Sequence, residues 1–392
     1  MKFGKRTLGM LGVATAVLLA TSACSGGLLG GGDNGGNAAG PIKIGMIVPT
    51  SGSSAPTGAS MANGAKMAVD EINKAGGVNI DGTKRMLEIE IADGACDSQQ
   101  AVASANKLVS SGVVISVGGY CSGATLPTLP IFNKAGVPMI IPAANSQDLV
   151  KEGLKNVFLI NGTGLQQSTA ALTFIKKQGY KAVALVDDNT SYSADITAET
   201  GKQIADDGST AVVLKTSVNA GESDYSSVVR DIISSKADLL YWTGYYQEGG
   251  LIIDQLRKAG YTGDIMVADG SADPTLATIA GASAEGVYAT MTPTPNTIKG
   301  AESWIADYKK QFGDDPKPYS TQSYDAVRLA AAALEAAGST KTDALISALE
   351  GIKDFKAFSG PLSFTPEHTL ANGGFVILVM KDADFQLFDD LQ

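Results

Sequence analysis

The chain has 392 residues, with 40 acidic and 30 basic side chains and a formal net charge of −10 at pH 7. This acidic balance argues against nucleic acid as a partner, because phosphate binding needs a basic face. The chain has a single histidine, which excludes multi-histidine metal sites. It also has no Gly-rich phosphate loop and no convergent set of acid, base and nucleophile. We therefore predict no cofactor, no metal and no enzymatic activity.

The first 23 residues have the pattern of an export signal. A short basic start is followed by an apolar run from Leu8 to Ala20 and by small residues before Cys24. The run has about 13 residues, whereas a membrane-spanning helix needs about 20. Small residues directly before a cysteine resemble a bacterial lipobox, which predicts a lipid on Cys24. Thr21 replaces the usual leucine, so ordinary cleavage after Ala23, giving a soluble periplasmic or secreted protein, stays an alternative.

Residues 24–40 are rich in glycine and have little apolar content, which predicts a flexible tether. The folded remainder of about 350 residues is too long for one hydrophobic core, so we predict two domains.

From Ile42 onward, short β-rich runs alternate with longer helical patterns, which predicts βαβ units and a mostly parallel sheet. The first series is predicted as strand Ile42–Val48, loop Pro49–Gly58, a helix with Met61 to Ile72 inward, strand Leu87–Ile91, a helix around Ala101 to Val109, and strands Val113–Val117 and Pro138–Ile141.

The alternation resumes after Asn161 and predicts a second doubly wound sheet. Its elements are helix Leu165–Gln178, strand Ala182–Val186, helix Ala194–Ala205, strand Ala211–Leu214, helix Tyr225–Ser235, strand Leu239–Trp242, helix Gly250–Lys258 and strand Ile265–Val267. Three late helices, Ser303–Phe312, Ser320–Ala337 and Thr342–Leu349, and two late strands, Gly360–Phe364 and Phe375–Met380, complete the chain.

Ligands of open parallel sheets bind beyond the carboxyl ends of the strands. The residues at those places are mostly small, hydroxylic or tyrosine, and the acid Asp269 is among them. They predict a polar pocket for a small molecule with tyrosine walls. The lone His368 in a turn-like segment is expected at the surface, and adjacent acids such as Asp187 and Asp188 are expected to be solvated.

Apart from Cys24, the chain has two cysteines, Cys96 and Cys121. In an exported protein two cysteines most simply form one disulfide. Two buried thiols are the alternative.

Several stretches, in order along almost the whole folded chain, resemble the leucine/isoleucine/valine-binding protein family. They are Ile44–Asn73, the run Ala95-Cys96-Asp97-Ser98-Gln99-Gln100-Ala101, Cys121–Ala144, Tyr241–Tyr245 and Gly281–Gly286. The resemblance implies an α/β type I periplasmic-binding-protein fold with two doubly wound, Rossmann-like lobes joined by three crossovers. It places residues 41–162 and 293–372 in the N-lobe and residues 163–292 and 373–392 in the C-lobe, and it implies a disulfide between Cys96 and Cys121.

The same resemblance implies a site for a zwitterion between the lobes. On the N-lobe, the Ser122 hydroxyl and the backbone at Ala143 and Asn145 stand where the family meets an α-carboxylate. On the C-lobe, Asp269 stands where an acid meets the α-ammonium. The other ligand-lining positions that carry over are Tyr192, Tyr245 and Tyr319.

Three positions depart from the family pattern. Thr57 replaces a tyrosine of some members, Tyr120 replaces an aliphatic residue, and Asn145 replaces a common threonine. The first change enlarges the pocket and the second shrinks it, so the identity of the amino acid stays open.

The function that the resemblance implies is capture of a branched-chain or related amino acid by hinge closure, for an ABC importer with permease and ATPase subunits. We expect a monomer, held at the membrane through its lipid alone. A sensory module that binds amides, urea or other small solutes is the alternative, and it is less favoured because no output domain precedes Gln392.

Overall fold

The computed structural model describes residues 40–372 and 374–391. The predicted signal peptide, the lipidation site at Cys24 and the tether up to residue 39 lie outside the described residues. Within the described part of the chain, no helix is long and apolar enough to cross a membrane.

Strands are spread along the whole described chain. They are β1 (Ile42–Val48), β2 (Val78–Ile80), β3 (Thr83–Arg85), β4 (Leu87–Asp93), β5 (Ile115–Ser116), β6 (Met139–Ile141), β7 (Val157–Leu159), β8 (Ala182–Asp187), β9 (Ala211–Ser217), β10 (Leu239–Trp242), β11 (Asp264–Val267), β12 (Tyr288–Met291), β13 (Phe355–Ala357), β14 (Gly360–Leu362), β15 (Val376–Lys381) and β16 (Asp384–Asp389).

Helices alternate with these strands through most of the chain. They are α1 (Ala55–Lys74), α2 (Ser98–Ser111), α3 (Ser122–Thr125), α4 (Leu129–Ala135), α5 (Asp148–Lys151), α6 (Gly164–Gln178), α7 (Ser191–Asp207), α8 (Ser226–Ser235), α9 (Tyr246–Lys258), α10 (Thr275–Ala280), α11 (Glu302–Phe312), α12 (Ser320–Ala337) and α13 (Thr342–Glu350).

The first sheet has five parallel strands in the order β4-β1-β5-β6-β7. The strand predicted at Ile42–Val48 is confirmed residue for residue, and its alternate side chains Ile42, Ile44 and Met46 are buried. Central strands of this kind are apolar because helices cover both faces of the sheet. Strand β7 was not predicted, and β5 is shorter than the predicted strand Val113–Val117.

The second sheet has seven strands in the order β16-β15-β12-β11-β10-β8-β9. Five of them are parallel, and β15 and β16 add an antiparallel edge next to β12. Every residue of β10 is buried. Sequence patterns missed β12, which pairs with the distant β15, and β16, which pairs with β15 directly before it in the chain.

The late helix α12 packs along α1, beside the first sheet. A Cβ at Gly64 of α1 would lie 2.1 Å from the Ser320 carbonyl oxygen, so only glycine allows this close approach. We call the first sheet with α1 and α12 the first lobe, and the second sheet with the helices between its strands the second lobe.

Three local predictions are wrong. The loop predicted at Pro49–Gly58 ends earlier, because α1 begins at Ala55 with proline in its first turn, a position that proline tolerates. His368 is buried, with its ring stacked on Phe158 at 4.1 Å. Asp187 and Asp188 are also buried, because each carboxylate accepts hydrogen bonds from the backbone of the loop that follows it.

Candidate functional site

Loops from both sheets meet at the carboxyl ends of the strands. On the first lobe they follow β1, β5 and β6, and on the second lobe they follow β8, β10 and β11. Hydrogen bonds run directly between the two groups, including one of 3.2 Å from the Asn145 amide to Asp269 and one of 2.9 Å from the Tyr246 hydroxyl to the Ser53 carbonyl. The two lobes are therefore closed on each other at this edge.

Asp269 lies at the centre of the contact, in a short 3-10 turn directly after β11. The residue as a whole is 3% exposed. The Tyr192 hydroxyl donates to Oδ1 at 2.5 Å, and the Tyr319 hydroxyl donates to Oδ2 at 2.5 Å. Asn145 Nδ2 donates to Oδ2 at 3.2 Å. The carboxylate thus accepts from residues of both lobes, since Tyr319 precedes α12 of the first lobe.

The surroundings of Asp269 oppose its ionisation in one way and support it in another. Burial raises the pKa of the Asp269 carboxyl above its usual range, and the Tyr192 and Tyr319 phenols offset part of that rise. Burial, and then the Asp269 charge, raise the pKa of both phenols well above the usual value, so each stays a hydrogen-bond donor.

Asp269 has no ion-pair partner within the described residues, although other buried acids such as Asp273 and Asp325 do. A buried carboxylate is costly unless a cation compensates it. The arrangement therefore suits a ligand that carries a positive charge or several N–H donors.

Asn145 is fixed by a chain of buried polar groups. Its Nδ2 donates to Gln167 Oε1 at 2.9 Å, and Gln167 Nε2 donates to Thr290 Oγ1 at 2.9 Å. Because Nδ2 faces two acceptors, the orientation of the amide follows from its neighbours. Asn145 Oδ1 is buried without a partner among the described residues, which leaves one acceptor next to the Asp269 carboxylate.

Ser122 and Ala143 come from neighbouring loops of the first lobe. Ser122 is the first residue of α3 and is completely buried, and its Oγ accepts from the Ser146 backbone N–H at 3.3 Å. The Ala143 carbonyl accepts from Asn161 Nδ2 at 2.6 Å. These contacts join the segments that follow β5, β6 and β7 at the edge of the first sheet.

Four tyrosine rings surround Asp269. The ring centroids of Tyr120 lie 6.0 Å from Tyr245 and 5.8 Å from Tyr319, and those of Tyr192 and Tyr245 are 5.1 Å apart. Tyr120 therefore contacts rings of both lobes. Tyr319 has a φ of 66°, a left-handed conformation that is rare for a bulky residue and is found where surrounding structure holds it in place.

The buried Asp188 positions Tyr245. Asp188 Oδ2 accepts from the Tyr245 backbone N–H at 3.2 Å, and Oδ1 accepts from the Thr190 hydroxyl at 2.7 Å. The sequence indicated only a solvated acid pair here, because the partner of Asp188 follows a different strand.

The predicted ligand residue Thr57 contacts a different acid, Asp273. Its hydroxyl donates to Asp273 Oδ2 at 3.2 Å. The structure thus brings Asn145, Tyr192, Tyr319 and Asp269 into direct contact, with Tyr120 and Tyr245 around them. Thr57 instead contacts Asp273.

Cys96 and Cys121 form a disulfide, with their Cα atoms 5.3 Å apart. It joins the loop after β4 to the residue before Ser122. Gln167, Asp188 and Asp273 were missed by sequence reasoning, since nothing in their local pattern distinguishes them from surface polar residues. Within residues 40–372 and 374–391, no cluster of His, Cys, Asp or Glu could hold a metal ion.

Comparison with known proteins identifies the family. A family model described as periplasmic binding protein matches residues 41–384. The Leu/Ile/Val-binding protein homolog 1 of Brucella abortus (strain 2308) is 32% identical over 344 residues, which are 88% of this chain and 91% of that protein. The leucine-, isoleucine-, valine-, threonine-, and alanine-binding protein of Pseudomonas aeruginosa is 32% identical over 341 residues, or 87% of this chain and 90% of that protein.

Among solved structures, the branched-chain amino acid transporter substrate binding protein LivJ from Streptococcus pneumoniae, in complex with isoleucine, superimposes with a TM-score of 0.79. It is 27% identical, and the match covers 88% of this chain and 98% of that chain. These findings confirm the predicted α/β fold class and the resemblance to leucine/isoleucine/valine-binding proteins. The chain belongs to the periplasmic binding protein family and has its type I fold.

Proposed function

We propose that this protein is the extracytoplasmic substrate-binding component of an ABC importer and captures a branched-chain or related amino acid between its lobes. The observation that carries the proposal is Asp269, a buried carboxylate with three hydrogen-bond donors and no cationic partner among the described residues. An α-ammonium group would supply the missing charge, and Asn145 Oδ1 offers it a second acceptor.

The first lobe would hold the other end of the zwitterion. Ser122 and the backbone at Ala143 and Asn145 lie on loops at the edge of the first sheet, where N–H and O–H donors suit a carboxylate. The ligand would dock on these loops, and Asp269, Tyr192 and Tyr245 would favour closure through contacts that exist only in the closed form. Relatives named for leucine, isoleucine and valine support an aliphatic side chain for the ligand.

Membership in the family places the protein outside the cytoplasm. We further propose that Cys24 carries a lipid, that the protein acts as a monomer, and that it delivers unaltered ligand to a permease with its ATPase. Mass spectrometry of the mature N-terminus distinguishes a lipidated Cys24 from a chain cleaved after Ala23 without a lipid. Light scattering of the purified protein gives the oligomeric state.

A thermal-shift screen of the twenty amino acids, with amides and urea as neutral competitors, tests the ligand class, because a ligand that binds the native state raises its apparent stability. We expect shifts from leucine, isoleucine or valine. Shifts from urea or amides alone would favour the neutral-solute alternative and would overturn the assignment of Asp269 to an ammonium.

Calorimetry with one compound that raises the unfolding temperature, followed by mass spectrometry of the recovered ligand, distinguishes binding from catalysis. Unaltered ligand at a one-to-one ratio supports a binding protein. Conversion of the ligand to another compound would overturn the proposal.

A further inference from the structure

A second set of contacts joins the two lobes outside the Asp269 cluster. We call it the interlobe clasp, and it consists of Thr57, Asp273, Thr275 and Lys317. The Thr57 hydroxyl donates to Asp273 Oδ2 at 3.2 Å, and Lys317 Nζ lies 3.1 Å from Asp273 Oδ1 and 3.2 Å from Thr275 Oγ1.

The members of the clasp come from different lobes. Thr57 belongs to α1 of the first lobe, and Lys317 is anchored there because its backbone N–H donates to Ser60 Oγ of α1 at 2.9 Å. Asp273 and Thr275 follow β11 of the second lobe. Opening of the cleft would therefore separate Lys317 and Thr57 from Asp273.

The ion pair of the clasp is largely buried and held in one orientation, so it can influence the opening of the cleft. The side chain of Asp273 is 5% exposed and that of Lys317 is 28% exposed, so the ion pair is less screened than one at the surface. Asp273 Oδ1 also accepts from the backbone N–H of Thr275 at 2.8 Å and from its hydroxyl at 2.5 Å. The carboxylate is thus held in one orientation by its own lobe.

We propose that the interlobe clasp stabilises the closed form independently of the ligand's chemistry, so that it changes the affinity for every ligand by one common factor, whereas the Asp269 cluster recognises the ligand itself. The inference rests on the proposed function only where ligand affinity is measured. If the binding-competent arrangement is populated to a smaller fraction, the apparent affinity falls by that fraction for every ligand. Lys317 and Asp273 act here as positioning residues, through the closure of the lobes.

The test uses Lys317→Met and Asp273→Asn in the full-length protein, singly and together. Lys309→Met is the matched control, because it removes the same charge from an exposed ion pair with Asp315 at 2.9 Å. Small-angle scattering of the unliganded proteins should show a larger radius of gyration for both clasp variants and for the double variant, with no further increase in the double variant. The control should match the wild type.

Calorimetry with leucine, isoleucine and valine provides the second arm. We expect each clasp variant to weaken binding by about three- to tenfold, by the same factor for all three amino acids, with faster dissociation. Factors that differ among the three ligands would overturn the proposal, and so would unchanged scattering and affinity in both variants.

Two measurements keep these outcomes distinct. Far-UV circular dichroism identifies a variant that fails to fold, and Thr275→Val then replaces it, since it removes one hydroxyl of the clasp at nearly constant size. If none of the three amino acids binds the wild type, the proposed function fails, while the scattering of unliganded protein still decides whether the clasp holds the lobes together.

Discussion

Asp269 and Asp273 lie on one loop after β11, and both are buried, yet their surroundings differ in kind. Asp269 faces phenols and an amide, which donate hydrogen bonds and carry no charge. Asp273 faces the ammonium group of Lys317. Burial without a cation does not by itself mark a ligand site. Asp187 and Asp188 are also buried without an ion pair within the described residues, but they accept backbone N–H groups of their own lobe, whereas Asp269 accepts from side chains of both lobes.

Among the substitutions considered, Asp269→Asn should have the largest effect on ligand affinity. Asp269→Asn removes the charge that an ammonium would meet, and we expect amino-acid affinity to fall by about 100-fold, or about 3 kcal/mol. Calorimetry measures the loss, and Asp254→Asn, which removes a carboxylate from an ion pair near the surface, is the control. Unchanged affinity in Asp269→Asn would show that the ligand does not contact this carboxylate through a cation.

The pH dependence of binding should follow from the same residue. Because burial raises the pKa of Asp269 in the unliganded protein, amino-acid affinity should be full above that raised pKa and fall by about tenfold per pH unit below it. Calorimetry between neutral pH and pH 4 measures this, and the decline should be absent in Asp269→Asn. An identical decline in both proteins would assign it to another group.

The stability of the unliganded protein should have the opposite pH dependence from that of amino-acid affinity. An acid whose folded pKa is raised contributes stability that is greatest below its ordinary pKa and is lost as pH rises through the folded pKa. At neutral pH, unliganded Asp269→Asn should therefore unfold at a temperature no lower than the wild type. A lower unfolding temperature in calorimetric scans would mean that the Tyr192 and Tyr319 bonds outweigh the burial of the charge.

Gly270→Ala should displace Tyr192 from Asp269. A Cβ at Gly270 would lie 2.8 Å from the Tyr192 ring and 2.9 Å from its hydroxyl oxygen, so the ring must move away. We expect affinity to fall by about tenfold. Gly374→Ala is the control, because its added Cβ would meet no atom within 4 Å. Equal affinities in the two variants would contradict a role for Tyr192.

Tyr319→Phe should have the smallest effect. It removes one hydrogen bond to a charged carboxylate, and we expect affinity to fall by about three- to tenfold while the ring still lines the pocket. Tyr261→Phe removes a buried phenol that donates to the Ala237 carbonyl at 3.1 Å, far from Asp269 in the fold, and serves as the control. If Tyr319→Phe bound as tightly as the control, the bond between Tyr319 and Asp269 would play no part in ligand capture.

The sequence predicted much of the fold because apolar periodicity is a local signal. Strands β1 and β10 and helix α12 were predicted with their observed bounds. Strands β7 and β12 were missed, since such short strands are defined by their partners. The burial of His368 had the same origin: its ring is covered by Phe158, which is distant in sequence. Strand β16 was also missed, although it pairs with β15 directly before it.

By itself the sequence determined the alternation of strands and helices, the two cysteines and the loops on which a ligand would lie. It also placed the acid Asp269 after one strand, and Tyr192 and Tyr245 after two others. Only the tertiary structure decided that Asp269 lacks a cation within the described residues, whereas Asp273 on the same loop has Lys317 and Thr57. The reason is physical: hydrogen bonds and ion pairs depend on distances of about 3 Å between groups that the crossovers between lobes bring together.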